Sequence, residues 1–255
     1  MIICQTVREL RLSLALTKDQ SLGFVPTMGN LHEGHESLVK RSLVENNKTV
    51  VSLFINPTQF DKKSDLESYP KTYKQDLARL EKLKVDYVFC PQREEIYHDN
   101  YVYKVSESNL SLEREGASRA GHFDGVLTVV LKLLNLVEPN RLYLGEKDYQ
   151  QLELIKGMIE AFFLKIEVVP CETVRNKKGL ALSSRNSRLS SEEQEKASVF
   201  SKLLKSENSA SFVSEKLEQE GFKVDYVEDK LGRRYGAVWL GSVRLIDNTS
   251  LGRSC

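Results

Sequence analysis

What constrains this chain most is an alternation of two patterns. Short runs rich in β-branched and aromatic residues occur at 22–25, 50–55, 85–90, 141–144 and 166–169. Between them lie longer stretches, at 35–44, 73–83, 126–137 and 150–163, whose apolar residues recur every three or four positions. The first pattern suits strands buried on both faces, the second helices with one apolar stripe. Their alternation demands βαβ units on a mostly parallel sheet. The expected fold is α/β, a Rossmann-like doubly wound sheet. Ligands of such sheets collect beyond the carboxyl ends of the strands, so a motif that directly follows a strand carries the most weight. Thr6 with Glu9, Thr72 with Gln75 and Ser190 with Glu193 have the spacing of capping boxes.

Past Cys171 the pattern changes. Arg175-Asn176-Lys177-Lys178-Gly179 is polar and basic. Two helical stretches follow, to about Lys205 and near 212–220, and then a tail (223–228 and 235–246) that alternates like antiparallel strands. We expect a larger domain over residues 1–175 and a smaller α+β domain over 176–255. The 37 basic and 36 acidic side chains leave a formal charge of +1. That balance lacks the blanket positive field of a nucleic-acid-binding protein, so a phosphate would be bound locally, in a pocket. No apolar run approaches the ~20 residues that span a bilayer, and no signal-peptide pattern opens the chain. The four cysteines, Cys4, Cys90, Cys171 and Cys255, form no Cys-x-x-Cys pair. A reducing compartment, the cytoplasm, with no membrane or nucleic-acid partner, is the expectation.

Five motifs carry chemistry. After the first of the runs above, Pro26-Thr27-Met28-Gly29-Asn30-Leu31-His32-Glu33-Gly34-His35 turns into a helix. Its glycines let a ligand approach the backbone. A helix start presents unpaired N–H groups to phosphate, and His32 and His35 could both face one side. Two such donors suit an in-line displacement at phosphorus. Half of a zinc site is the competing reading, but no nearby cysteine or third ligand supports it. After the second run, Asn56-Pro57-Thr58-Gln59 offers amides suited to a hydroxy acid on a turn stiffened by proline. Glu115-Gly116-Ala117-Ser118-Arg119-Ala120-Gly121-His122 precedes a helix. There His122 is read as ordering the loop rather than as catalytic. Gly145-Glu146-Lys147-Asp148-Tyr149-Gln150-Gln151 follows the fourth run and places a lysine beside a glycine, which suits phosphates. Leu182-Ser183-Ser184-Arg185 supplies two hydroxyls and a guanidinium for a triphosphate.

In order and spacing, these blocks resemble the signatures of the pantothenate synthetase family, pantoate–β-alanine ligases of the nucleotidyl-transferase superfamily. The tail Ala237-Val238-Trp239-Leu240-Gly241-Ser242-Val243-Arg244-Leu245-Ile246-Asp247-Asn248 resembles the family's end. Ala120 stands where many members carry proline. The stretch between Arg188 and Tyr235 is shorter than is typical, so the second domain, a lid by resemblance, is expected to be trimmed. The resemblance implies an AMP-forming acid–amine ligase of the cytoplasm: ATP and pantoate give a pantoyl-adenylate, with Mg²⁺ assistance, and β-alanine displaces AMP. It implies His35, His32 and Lys147 as catalytic. It assigns ATP to Met28, Gly29, Asn30, Leu31, His32, Glu33, Gly34 and His35, with Gly145, Glu146, Lys147, Asp148, Val174, Leu182, Ser183, Ser184 and Arg185. Gln59, Gln151, Asn56 and Arg119 are the expected substrate-binding side chains, Asp76 the expected magnesium ligand through water, and a homodimer the expected assembly. The alternative is another adenylyltransferase of the same superfold. It would leave Asn56-Pro57-Thr58-Gln59-Phe60 unexplained.

Overall fold

A computed structural model of the chain describes residues 1–17 and 19–252, so Cys255 lies outside the described residues. In chain order the elements of the first part are β1 (Ile2–Cys4), α1 (Val7–Leu14), β2 (Leu22–Thr27), α2 (Glu33–Glu45), β3 (Lys48–Leu53), α3 (Lys63–Glu67), α4 (Tyr73–Lys82), β4 (Tyr87–Phe89) and α5 (Arg93–Ile96). They continue with α6 (Glu115–Ser118), α7 (His122–Val137), β5 (Arg141–Gly145), α8 (Tyr149–Ala161) and β6 (Glu167–Cys171). The rest comprises α9 (Ser191–Leu204), α10 (Ala210–Gln219), β7 (Lys223–Lys230), β8 (Arg233–Leu240) and β9 (Val243–Ser250).

The fold is α/β, as the alternation requires. Six parallel strands form one sheet in the order β1-β4-β3-β2-β5-β6. Strand residues alternate between two cores. Phe24, Val50, Phe89 and Leu142 face one, with α7 and much of α8 packed on it. Their neighbours Val25, Val51, Val88 and Tyr143 face the other, with α2 and α4. This is the period-2 geometry of a strand, and it explains why the strands read as continuous apolar runs. Helix α7 is the most enclosed: eleven of its sixteen residues are buried. The chain leaves β2 for β3 on one side, while β5 lies on β2's other side. The switch point of the sheet therefore falls between the carboxyl ends of β2 and β5.

The described chain divides into two compact units. The first comprises 1–146 and 150–171, and the second comprises 147–149 and 172–255. The second unit has its own core of Leu180, Phe200, Leu204, Leu217, Val238 and Leu245, among others. It also has its own antiparallel sheet, β7-β8-β9.

Capping boxes form at Thr6–Glu9 and Ser190–Glu193. Thr72 is different: it makes no cap hydrogen bond, because its hydroxyl is drawn to Asp76. The three-residue β1 escaped the sequence patterns. It exists because Ile2–Cys4 pair with Tyr87–Phe89, a tertiary partnership too short to leave a period.

Candidate active site

The turn after β2 is held from three directions. Thr27 donates its hydroxyl hydrogen to the Ser52 carbonyl (2.7 Å) and accepts from the Gly29 N–H (3.2 Å). Gly29 and Asn30 both sit in the left-handed region, at φ +78° and +49°, which glycine enters freely and asparagine tolerates better than most residues. A Cβ on Gly29 would also stand 3.1 Å from Asp76 Oδ2. Asp76 reaches in from α4. Its Oδ2 accepts from the Asn30 N–H at 2.9 Å and from the Thr72 hydroxyl at 3.0 Å, and its Oδ1 accepts from the Leu31 N–H at 2.8 Å.

One expectation changes here. Asp76 is 3% exposed and both its oxygens are engaged by donors, so it braces the turn. Among the described residues no three His, Cys, Asp or Glu side chains are arranged to hold a metal. Mg²⁺ commonly keeps several waters and takes few protein carboxylates, so the expected role of Asp76 toward it, through water, is compatible with this brace. The N–H groups of Asn30 and Leu31 are accordingly directed at Asp76 rather than offered to a phosphate.

The histidines complete the turn. His32 is the N-cap of α2, and its Nδ1 accepts from the Gly34 N–H at 3.1 Å. His35, at the third helical position, accepts from the His32 N–H at Nδ1 (3.4 Å). This is a capping box in which imidazoles replace the usual hydroxyl and carboxylate. An Nδ1 that accepts carries no proton, so each neutral ring bears its hydrogen on Nε2. The ring centroids are 4.1 Å apart. His32 and His35 thus share a face, as the spacing suggested, through a cap and not through a continuous helix.

The turn after β3 is organised by Asn56, 1% exposed. Its Nδ2 donates to the Gly125 carbonyl (3.1 Å) and to Gln59 Oε1 (2.9 Å). Its Oδ1 accepts from the Tyr97 hydroxyl (2.7 Å), the Thr58 hydroxyl (3.0 Å) and the Thr58 N–H (3.4 Å). Every polar position on Asn56 is used internally, so it supports the turn and does not itself face a substrate. Because Gln59 turns its oxygen to Asn56, its amide hydrogens are the end it presents to a ligand. Helix α7 presses on this turn: a Cβ on Gly125 would lie 2.5 Å from the Thr58 carbonyl oxygen. Tyr97 is 1% exposed, and burial pushes its phenol up to about 12, which keeps it a hydrogen donor.

Arg119 and His122 hold the same turn from its other end. His122 Nδ1 lies 2.8 Å from the Gln59 carbonyl oxygen, Arg119 Nη2 donates to that oxygen at 3.3 Å, and Arg119 Nε pairs with Asp61 at 3.2 Å. His122 orders the loop, as expected. Arg119 shares that duty, a role the sequence reading did not give it. Gln151 is half-buried at the start of α8. Its neighbour Gln150 is buried and ties down the loop before α6, donating to the carbonyls of Leu110 (2.7 Å) and Glu113 (2.8 Å) and accepting from the Glu115 N–H (3.2 Å). Tyr97 had no local signal that could have found it, and Gln150, though inside the Gly145–Gln151 motif, had none for its bracing role, since each acts across more than 30 residues.

A Cβ added at Gly145 would meet nothing within 4 Å, so no protein contact demands glycine after β5. In the second unit, Lys147 Nζ lies 3.4 Å from Asp148 Oδ1. Val174 accepts from the Leu182 N–H at 2.9 Å, beside the bridge Arg175–Ala181. Ser183 caps the short 3₁₀ turn Ser184–Arg188, accepting from the Arg185 N–H at 3.3 Å. The capping role weighed for this serine pair is thus real, and it sets the conformation in which Ser184 and Arg185 are displayed. Cys4, Cys90 and Cys171 are buried free thiols. Burial raises all three, Cys90 to about 11.

Comparison with known proteins places these motifs in company. The family model described as pantoate-beta-alanine ligase matches residues 2–250. The pantothenate synthetase of Coxiella burnetii (strain RSA 493 / Nine Mile phase I) is 54% identical over 230 residues, 90% of this chain and 89% of its own. That of Legionella pneumophila (strain Corby) is 51% identical over 239 residues, 94% and 95% of the two chains. The pantoate-beta-alanine ligase of Francisella tularensis, solved with beta-gamma ATP and beta-alanine, superposes with a TM-score of 0.94 at 41% identity and covers 98% of each chain. The short second unit is therefore matched in a solved relative of nearly the same extent. Pantothenate synthetase from Thermus thermophilus gives 0.90 at 39% identity, covering 98% of this chain and 99% of its own.

Proposed function

The chain belongs to the pantoate–β-alanine ligase family, and from that premise we propose how its own residues make pantothenate. The chain is an ATP-dependent ligase; a different adenylyltransferase of the same superfold finds no support among these relatives. The pantoate carboxylate oxygen attacks the α-phosphorus of ATP. The new P–O bond forms as the bond to the β-phosphate bridging oxygen breaks, and pyrophosphate leaves. The β-alanine amine, in its neutral form, then attacks the acyl carbon; AMP departs with the electron pair and the amine loses a proton.

The observation that carries this reading is the imidazole capping box after β2. His32 and His35 bear their protons on Nε2 and stand together at the switch point. There they donate to α-phosphate oxygens as charge builds in the displacement. Gln59, its oxygen held by Asn56, donates to pantoate, and Gln151 is its partner; β-alanine binds near Gln59. Lys147 and the Ser183–Ser184–Arg185 turn bind phosphates, with Gly145, Glu146, Asp148, Val174 and Leu182 as backbone neighbours of the nucleotide. Mg²⁺ enters as part of the nucleotide substrate and offsets phosphate charge. Asp76 is the candidate for holding it through water. The adenylate must be kept from water until the amine arrives. A cytoplasmic homodimer is the proposed state, checked by sedimentation velocity. Buried free thiols at Cys4, Cys90 and Cys171 support that location.

The deciding experiment is pantoate-dependent exchange of labelled pyrophosphate into ATP with β-alanine left out. We expect exchange in the parent protein and its near-loss in His35→Ala. A folded parent that fails to exchange would remove the adenylate from this reading.

A further inference from the structure

The tail pair Asp247–Asn248 has no part in the chemistry above, yet its surroundings supply one. Asn248 is buried, 5% exposed, and lies on β9 opposite Tyr235 of β8. Its Nδ2 donates to the backbone carbonyl of Lys147 at 2.9 Å, and its Oδ1 accepts from Arg233 Nη1. A guanidinium only donates and a peptide carbonyl only accepts. One of the two amide orientations therefore satisfies both partners, and the other satisfies neither. Arg233 in turn lies over the Tyr149 ring, 3.7 Å from its centroid, and the Tyr149 and Tyr235 rings are 6.2 Å apart.

The support behind Asn248 is rigid. Asp247 is 5% exposed, gripped by Arg175 at 2.6 and 2.9 Å and by the Ser201 hydroxyl at 2.7 Å. Its Oδ1 also receives the Asn248 N–H at 2.8 Å. The segment 147–149 is thus clamped twice, at the Lys147 carbonyl by Asn248 and at the Tyr149 ring by Arg233. This explains why these three residues, flanked in sequence by β5 and the body of α8, belong to the second unit.

We propose that Asn248 is a positioning residue for Lys147, setting the direction in which that lysine extends toward the nucleotide phosphates. The peptide plane is stiff, so fixing the Lys147 carbonyl fixes the 147–148 plane and with it the backbone from which the side chain springs. A lysine is a point charge on a flexible stem, and its aim depends on that root. The proposal rests on the reading of Lys147 as a phosphate ligand.

The test is Asn248→Asp, which keeps size and the Arg233 contact but turns an acceptor toward the Lys147 carbonyl. Misplacement by an ångström costs on the order of 10²-fold. In pantoate-dependent pyrophosphate exchange we expect the KM for ATP to rise and kcat to fall, together by about 10- to 100-fold in kcat/KM. The KM for pantoate should stay within about twofold. The same change placed on Lys147→Ala should add almost nothing, because both act through one amine. Full additivity of the two, or an unchanged ATP kcat/KM in folded Asn248→Asp, overturns the proposal. If Lys147→Ala itself leaves exchange undiminished, the phosphate role of Lys147 fails first, and that outcome is separately visible. Should Asn248→Asp not fold, Arg233→Met, which frees the amide to rotate, is judged by the same criteria.

Discussion

The turn after β2 and the turn after β3 leave neighbouring strands of one sheet, yet they are held by opposite chemistry. A carboxylate, Asp76, braces the first; a neutral amide, Asn56, braces the second. A carboxylate only accepts, so it collects N–H groups and sets a backbone. An amide both donates and accepts, so it can orient another amide. The first turn therefore has a rigid main chain on which two imidazoles are mounted through their own cap. The second has a side chain, Gln59, turned so that its donor end is outward. Where phosphate chemistry is proposed, geometry is stored in the backbone; where a hydroxy acid is proposed, it is stored in a chain of side-chain hydrogen bonds.

The largest test of that contrast is His35→Ala. Loss of one preorganised donor to a transition state costs about 10²–10³ in rate, so exchange should fall by that factor while the Tm stays near the parent value. Next is Asp76→Ala, which removes three hydrogen bonds to a charged acceptor, each worth about 1.5–3 kcal/mol. Here both Tm and exchange should fall. Asp76→Asn sharpens the point: a carboxylate that also holds Mg²⁺ through water should shift the Mg²⁺ concentration for half-activation, whereas a brace alone would leave it unchanged. We expect that midpoint to move by about tenfold, the equivalent of roughly 1.4 kcal/mol; an unmoved midpoint would leave Asp76 a brace alone.

On the other turn the effects should be smaller and confined to pantoate. Tyr97→Phe deletes one buried hydrogen bond, about 1 kcal/mol, and should raise the pantoate KM about fivefold without altering that for ATP. An equal rise in both would show that the two turns are not held separately. The smallest effect concerns the sheet beneath them. The Cys90 thiol ionises near 9.0 ordinarily and near 11 in the fold. The contribution of this thiol to stability is therefore whole below that ordinary value and is lost as pH rises through the folded one. In a Cys255→Ser protein no thiol should react with a disulfide reagent at mildly alkaline pH until denaturant is added; prompt reaction of even one would place a thiol at the surface.

Much of this molecule was legible in the residues. The alternation of Phe24/Val25 and Val50/Val51 across two cores is a period-2 fact. The two capping boxes that form, Thr6–Glu9 and Ser190–Glu193, are local hydrogen bonds between residues three apart. The histidine pair, the Gln59 turn and the Ser183–Arg185 run could be recognised because each is contiguous. Other features could not be read this way. Thr72 had the spacing of a cap but surrendered its hydroxyl to Asp76. Asp76 could be read as a magnesium ligand through water, but the N–H groups of Asn30 and Leu31 on its oxygens could not be read.

The sequence by itself thus determined the parallel α/β sheet, the order of the motifs and the family they belong to, because those depend on periodicity and on short contiguous runs. Only the tertiary structure decided which residues are braces. Asp76 acts on a turn some 45 positions earlier, Tyr97 on one 41 positions earlier, and Asn248 on a carbonyl 101 positions earlier. A hydrogen bond is specific about distance and angle but indifferent to separation along the chain. Asp76 and Asn248 stood in stretches the sequence singled out, but the partners that make them braces left no pattern for that reason.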